Sequence, residues 1–490
     1  MKLISNSFAL PLALCGALCA WPASGRAQSA NTMPTPKPFD PASNSTNPSA
    51  SATQAQNPFL GSTPTIPLVE GTRHLSLDEA VRFALQTNLG LIDATATESN
   101  LRAARLKALS TLLPHIDASL TTHQTALNGT EASGGKKIGL PNIIGPYYYQ
   151  AYHLNMDETA FEMRALHALR GARDEAEAAS YTALDGRNIV VLAAASGYIA
   201  IAATESRVHA DEAELASTEA LHALMRDRVE HGVSPNIDLI RAQVAAQTAA
   251  QRLDLARMQL KKDKYALARV IGMPVEQEFD LASPLSYQSA PQATLDELLA
   301  KAASARADLK AVKASDQAAE EGVKAAAARR LPVLGIHGNV GAGGVNSARL
   351  YGTYDIGASL TMPVFTGGAI AADVRAAKST AMRRHAEVAD LEERVRFDVR
   401  DAWLDLESAE RSVRVADGNL QLARQGSKEA RDRFEVGVST SLDVLEAQRE
   451  LAEAEDNYIS SVYAHNLAKL MLIRATGRAE AELSAYVGGK

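Results

Sequence analysis

Residues 226–243 read RDRVEHGVSPNIDLIRAQ, and residues 431–448 read RDRFEVGVSTSLDVLEAQ. Ten of the eighteen positions are identical. Four more exchange one hydrophobic residue for another: Val229/Phe434, Ile237/Leu442, Leu239/Val444 and Ile240/Leu445. Two further correspondences share a second offset of 218 residues: Ser76-Leu77-Asp78-Glu79 with Thr294-Leu295-Asp296-Glu297, and Leu113-Pro114 with Leu331-Pro332. The first pair carries the S/T-x-x-E box that starts a helix, and the second closes an alanine-rich run. Self-similarity on this scale requires a fold made of two equivalent halves.

Each half has the same order. A helix is predicted over about 77–112, and again over 295–330, each leading to a proline. Two alternating segments follow, then a long helical run over 160–231 or 367–436, a tight turn at Gly232 or Gly437, and a last helix of about 35 residues. A 70-residue helix is about 105 Å long at 1.5 Å per residue, the length of two 35-residue helices end to end, so the short pair is expected to stack alongside the long one. The long runs carry coiled-coil seams. Ala402, Leu406, Ala409, Val413, Ala416, Leu420 and Ala423 follow 4–3 spacing and continue to Ala430 and Phe434; Leu192, Ser196, Ile199 and Ala203 do the same in the first half. Val395, Val399 and Trp403 lie on a neighbouring face, and a helix with two seams can contact two partners. Periodicity alone serves a closed ring of helices and an ordinary antiparallel bundle equally.

The alternating segments discriminate further. Ile116, Ala118 and Leu120 alternate with Asp117, Ser119 and Thr121; Ile356, Ala358, Leu360 and Met362 alternate with Gly357, Ser359 and Thr361. Tyr148, Gln150, Tyr152, Leu154 and Met156 share a face of a third segment, and Leu334, Ile336 and Val340 mark a fourth. Segments of about ten residues with one apolar and one polar face are the signature of membrane β-barrel strands. Four strands cannot close a barrel, and lipid does not tolerate open sheet edges, so several copies must contribute strands together. The glycine-rich run 338–344 leads into another strand rather than a helix, which excludes a phosphate loop and marks a hairpin.

The N-terminus reads as a signal peptide: Lys2, an apolar run from Phe8 to Trp21, and Gly25-Arg26-Ala27, with cleavage expected after Ala27. Both cysteines, Cys15 and Cys19, fall inside it, so no disulfide framework is expected in the mature chain. Cleavage would take the formal charge from −7 to −9, through loss of Lys2 and Arg26. This mild acidity, with no basic block, gives a nucleic-acid partner no electrostatic support. The expected organisation is signal peptide 1–27, flexible Pro/Ser/Asn-rich leader 28–71, first repeat 72–272, connector 273–293, second repeat 294–478 and tail 479–490. No later run of 18 apolar residues is present, so a crossing of the membrane would fall to strands.

The doubled unit, the G-V-S-x-x-[IL]-D turn followed by Ala-Gln, the Leu-Pro entries and Met362-Pro363-Val364-Phe365-Thr366-Gly367-Gly368 together resemble the TolC-type outer-membrane efflux proteins, over essentially all of 72–478. The first half departs from the P-[VL]-F-x-G-G junction, reading Asp157-Glu158-Thr159-Ala160-Phe161-Glu162. The resemblance implies a mainly α fold with a small β part. In it a homotrimer joins an α-helical tunnel of long coiled-coil helices in the periplasm to a twelve-stranded outer-membrane β-barrel, four strands per protomer. It also implies a passive export duct that docks to a periplasmic adaptor and an inner-membrane pump, without cofactor, metal or nucleic acid.

Within that family the two turns form the periplasmic tip. By resemblance Asp443 and Glu446 match the pore-constriction acids, and Asp238 matches the first-tip acid that helps hold the aperture closed. Gly232, Val233, Ser234, Gly437, Val438 and Ser439 match the adaptor-docking tips, and Ser439 stands where the family has an arginine. Local chemistry gives these residues another role: Gly232 and Gly437 suit a left-handed helix end, Ser234 an N-cap with Pro235 at the first helical position, and Asp238 and Asp443 the positive end of a helix dipole. The eleven histidines are scattered without metal-ligand spacing, and no catalytic constellation is present. An exported coiled-coil adaptor without a pore is the alternative. It would carry one helical hairpin flanked by small β domains rather than a duplicated unit with four strands.

Overall fold

The computed structural model describes residues 58–128, 141–282, 286–291, 293–345 and 350–487. The expected signal peptide, and the expected leader as far as residue 57, lie outside the described residues. The described residues form one compact unit.

The first half contains β1 (Arg73–Leu75), α1 (Leu77–Thr87), α2 (Leu89–Ser110), β2 (His115–Asn128), β3 (Ile143–Phe161), α3 (Met163–Glu230) and α4 (Asn236–Ile271). The second contains β4 (Phe279–Leu281), α5 (Leu295–Ala305), α6 (Ala307–Ala328), β5 (Val333–Gly344), β6 (Tyr351–Thr361), α7 (Ala369–Glu435) and α8 (Ser441–Ala475), and a short α9 (Ala479–Val487) follows. The halves match element for element, mainly α with a small β part.

Both expected capping boxes form: Ser76 with Glu79, and Thr294 with Glu297, each with side chain and backbone exchanging hydrogen bonds. The helices they start do not run 35 residues as predicted. Each breaks after 11 residues, at Asn88 and at Arg306, with extended backbone (ψ 127° and 120°). These positions are again 218 residues apart, yet different chemistry holds them. The fully buried Asn88 caps α2 by accepting from the Gly90 and Leu91 amides, and donates to the Phe59 carbonyl at 2.7 Å. The buried Arg306 instead donates to both oxygens of Asp308 and, at 2.8 Å, to Asp398 on α7. Thr87, Asn88 and Gly90 already weaken the helix at the first break, whereas propensity runs on through the second, where the ion pair with Asp398 marks the bend.

Long helices α3 and α7 have 68 and 67 residues. The α3 helix packs against α4 on one stretch and against α2 and α6 on another, and α7 packs against α8 and α6, giving the stacked pairs that the lengths required. On α7 the predicted seam is the buried line, with Ala402, Leu406, Val413, Ala416, Leu420 and Phe434 all at most 8% exposed. The main core gathers around Val190, Val191 and Ile201 of α3, Leu267 and Ile271 of α4, and Leu470 and Ile473 of α8. By length and composition α3 contains the one stretch among the described helices able to cross a membrane, and 61% of it is buried inside the protein.

Three further differences from the sequence reading emerge. Residues 58–71, expected to belong to the flexible leader, are tied down: Ser62 Oγ donates to the Arg269 carbonyl, and the Val69 amide donates to Gln277 Oε1 at 2.8 Å. The expected tail forms α9 over 479–487, burying Leu483 and Tyr486 and pairing Glu480 with Arg187. Strand β3 runs on to Phe161, through the stretch where the first half lacks the proline and glycines that stop its counterpart, and α3 starts almost directly.

Candidate functional site: the helical tips and the open sheet

The four long strands form one antiparallel sheet in the order β2-β3-β5-β6. Register places Ile116, Met156, Gly338 and Ile356 in one row, and Ala118, Leu154, Val340 and Tyr354 in the next. This face is apolar and bare: Ile116 is 63%, Ile356 78% and Tyr354 83% exposed. The opposite face carries the row Asp117–Asn155–Asn339–Asp355 and the row His115–Asp157–His337–Gly357. Asn155 donates to Asp117 at 2.8 Å, and His153 hydrogen-bonds Asn339 at 2.9 Å. Strands β2 and β6 are free edges.

At the other end, two helix–turn–helix tips repeat one geometry. Gly232 (φ 72°) and Gly437 (φ 74°) adopt the left-handed conformation that a Cβ disfavours by crowding the backbone carbonyl. Beyond each glycine two amides return to one carbonyl. Val233 and Ser234 donate to Arg228 (2.8 and 3.3 Å), and Val438 and Ser439 to Arg433 (2.9 and 3.3 Å). Val233 and Val438 are left 71% and 68% exposed.

The outgoing helices start differently. Ser234 is not the N-cap: Pro235 holds that position, without a side-chain cap, and α4 begins at Asn236. Thr440 caps α8 in a third capping box, accepting from the Asp443 amide while its own amide donates to Asp443 Oδ2 at 2.8 Å. The Thr440 amide, the Thr440 hydroxyl and the nearby Arg433 guanidinium, in that order, hold the Asp443 carboxyl below the usual aspartate range. Glu446 is exposed one turn further, and Glu450 and Glu453 continue the same stripe. That extension was readable from the helical spacing of Asp443, Glu446, Glu450 and Glu453, but sequence reasoning stopped at the first two. Asp238 is half-buried and faces its own Arg241 at 3.7 Å. The hydroxyl of Ser439, standing in place of the family arginine, donates back to the Ala430 carbonyl of its own hairpin at 3.4 Å.

The contact between the two hairpins lies higher. Phe434 of α7 packs with Leu221 and Met225 of α3, Ala242 of α4 and Val444 of α8 in a small cluster separate from the main core. Arg228 stacks over the Phe434 ring at 4.3 Å. Ser217 Oγ accepts from Arg431 at 2.8 Å and from Gln448 at 2.9 Å. Sequence spacing gave Phe434 a seam position but did not reveal this cross-hairpin link.

An open four-stranded sheet with a bare apolar face, continuous with paired helices of about 100 Å, defines a subunit of a membrane channel that is part β-barrel and part helical tunnel. Residues 298–478 match the outer membrane efflux protein family. The chain is 25% identical to the pyoverdine export outer membrane protein OpmQ of Pseudomonas putida, over 82% of this chain and 85% of that protein. It is 23% identical to the outer membrane protein TolC of Vibrio cholerae, over 66% of this chain and 76% of that protein. Among solved structures, the Campylobacter jejuni CmeC outer membrane channel superposes with a TM-score of 0.72 at 17% identity, covering 86% of this chain and 92% of that one. The outer membrane protein VceC of Vibrio cholerae gives 0.70 at 20% identity, covering 82% and 96%. Residues 298–478 thus carry the outer membrane efflux protein domain, and the chain as a whole resembles outer membrane efflux proteins and shares the fold of solved outer-membrane channels.

Proposed function

We propose that three copies of this chain close a twelve-stranded barrel and a helical tunnel. The assembly is a passive duct whose periplasmic end docks to an adaptor and, through it, to an inner-membrane pump. The observation that carries this reading is the sheet with two free edges and a lipid-compatible face: in a membrane those edges need partners, and a head-to-tail ring supplies them. Exposed apolar residues on the tunnel helices, Phe397 and Leu404 of α7 and Ile240, Val244, Leu255 and Met258 of α4, support further helix contacts between copies.

In this duct the α7–α8 tip lines the aperture, with Asp443 and Glu446 as the constriction acids and Asp238 beside them. Val233, Ser234, Val438 and Ser439, on the turns made by Gly232 and Gly437, form the adaptor-docking tips. Transport requires no bond-making at the protein, and the alternative of a pore-less adaptor is not favoured. Three copies of the tip place up to six carboxylates in one ring, which favours cations and binds multivalent ones tightly enough to obstruct flow.

Single-channel recording of the purified protein in a planar bilayer tests the proposal. Cation-preferring openings blocked by a trivalent cation from one side only are expected. Block should weaken in the Asp443→Asn/Glu446→Gln double variant. Block that is unchanged in that variant places the constriction elsewhere.

A further inference from the structure

On the polar face of the sheet, amide and titratable side chains adjoin in register. The Asp117–Asn155–Asn339 row is hydrogen-bonded, with Asn339 also bonded to His153. A second group lies beside the β6 edge. His337 Nε2 stands 3.5 Å from Asp355 Oδ2. That is long for a charged hydrogen bond, but two ligands bonded at about 2.0–2.1 Å to one tetrahedral metal ion are separated by roughly 3.4 Å.

The imidazole reaches this position because residue 357 is glycine. A Cβ there would lie 2.5 Å from both Nε2 and Cε1 of His337. The ring therefore lies across the edge strand, with its ligating nitrogen near the free edge. Within one chain the described residues hold no cluster of three or more metal-ligating side chains. His337 and Asp355 are half of a site.

The other half follows from barrel closure, so this inference rests on the proposed three-copy ring. Strands about 4.8 Å apart and tilted by about 40° shift by a little over one residue per strand, or about five across four strands. Because side chains alternate between faces, polar faces meet only at even offsets, four or six. The sheet is already staggered in this sense: β6 continues to Thr361, four residues past the row that contains His115, the first residue of β2. Joined in that sense, Asp355 faces Thr121 or His123 of the partner subunit's β2. With an offset of six, His123 of the partner subunit is directly opposite. With four it is the diagonal neighbour, still within reach of a long side chain. His123 points to the same polar face, as its even spacing from Asp117 requires.

We propose that each seam of the closed barrel binds one divalent first-row transition-metal ion through His337 and Asp355 of one subunit and His123 of the partner subunit. Imidazole and carboxylate donors suit zinc, nickel or cobalt, with the remaining position left to water. The site lines the lumen and is separate from the acidic tip.

Tag-free, chelator-treated trimer carrying Asp443→Asn/Glu446→Gln, which removes the tip acids, is titrated with Zn2+ by calorimetry. It is titrated in parallel with Co2+, whose visible spectrum reports tetrahedral coordination. Three ions per trimer are expected. His337→Ala and Asp355→Asn should abolish binding, and His123→Ala should weaken it at least tenfold. Gly357→Ala, which displaces the His337 ring without touching a ligand, should weaken it while the trimer persists. An intact trimer that binds no stoichiometric metal, or binds it equally well without His337 and Asp355, overturns the site. Full affinity in His123→Ala overturns the partner's part in it. A chain that stays monomeric refutes the ring itself, and the site with it.

Discussion

Replacing Phe434 by alanine should loosen the tip without unfolding the channel. Phe434 is 5% exposed and is enclosed by Leu221, Met225, Ala242 and Val444, each at most 6% exposed. Truncating a buried phenylalanine costs about 3–5 kcal/mol, and losing the Arg228 stack removes about 0.5–1 kcal/mol more. This cluster is separate from the main core, so the cost falls on local disengagement of the two hairpins rather than on global stability. At about 1.4 kcal/mol per factor of ten, a loss of about 3 kcal/mol shifts each subunit roughly a hundredfold towards the disengaged tip. Single-channel recording should show more frequent and longer openings. Hydrogen exchange of the amides around 221–230 should accelerate, with the main thermal transition little changed. Faster exchange with unaltered gating would mean that this contact does not control the aperture. A fall of the main transition by the full amount would mean that the tip is not an independent unit.

Ser217→Ala removes the shared acceptor of Arg431 and Gln448, and should raise opening in the same assay by a smaller factor, corresponding to about 1–2 kcal/mol. Arg306→Met should destabilise the fold by about 3–5 kcal/mol, because Asp308 and Asp398 lose a buried partner; denaturant unfolding measures it. His465 is fully buried, neither ring nitrogen has a hydrogen-bond partner among the described residues, and burial, with the Lys469 charge second, lowers its pKa to about 4. The unfolded chain therefore takes up a proton near pH 6.5 that the folded chain refuses until about 4. Stability should fall through that window by up to about 3 kcal/mol. A His465→Leu variant should lose that pH slope in thermal unfolding. Lys469, whose ammonium donates to the Gln288 carbonyl, has its pKa lowered by burial to about 8. Its penalty is constant below pH 8 and fades as pH rises towards 10.5, so Lys469→Met should be more stable at neutral pH by an amount that shrinks at alkaline pH.

The sequence by itself determined the duplication, the two capping boxes at Ser76 and Thr294, the seam of α7, the strand faces and the left-handed glycines. All of these depend on local rules: side-chain period, cap chemistry and the conformational freedom of glycine. The amphipathic strands even raised the expectation that copies of the chain combine, because hydrogen-bond satisfaction in lipid is a general requirement. Tertiary structure alone decided the rest. At Arg306 the guanidinium finds Asp398 on α7, and at Asn88 the side-chain amide finds the Phe59 carbonyl, partners distant in sequence and invisible to propensity. The joining of the hairpins through Phe434, Ser217, Arg431 and Gln448 depends on which faces of four helices meet. The approach of His337 to Asp355 over Gly357 depends on strand register. Contacts of this kind are set by how elements pack and pair over long separations, so they are fixed only once the whole chain has folded.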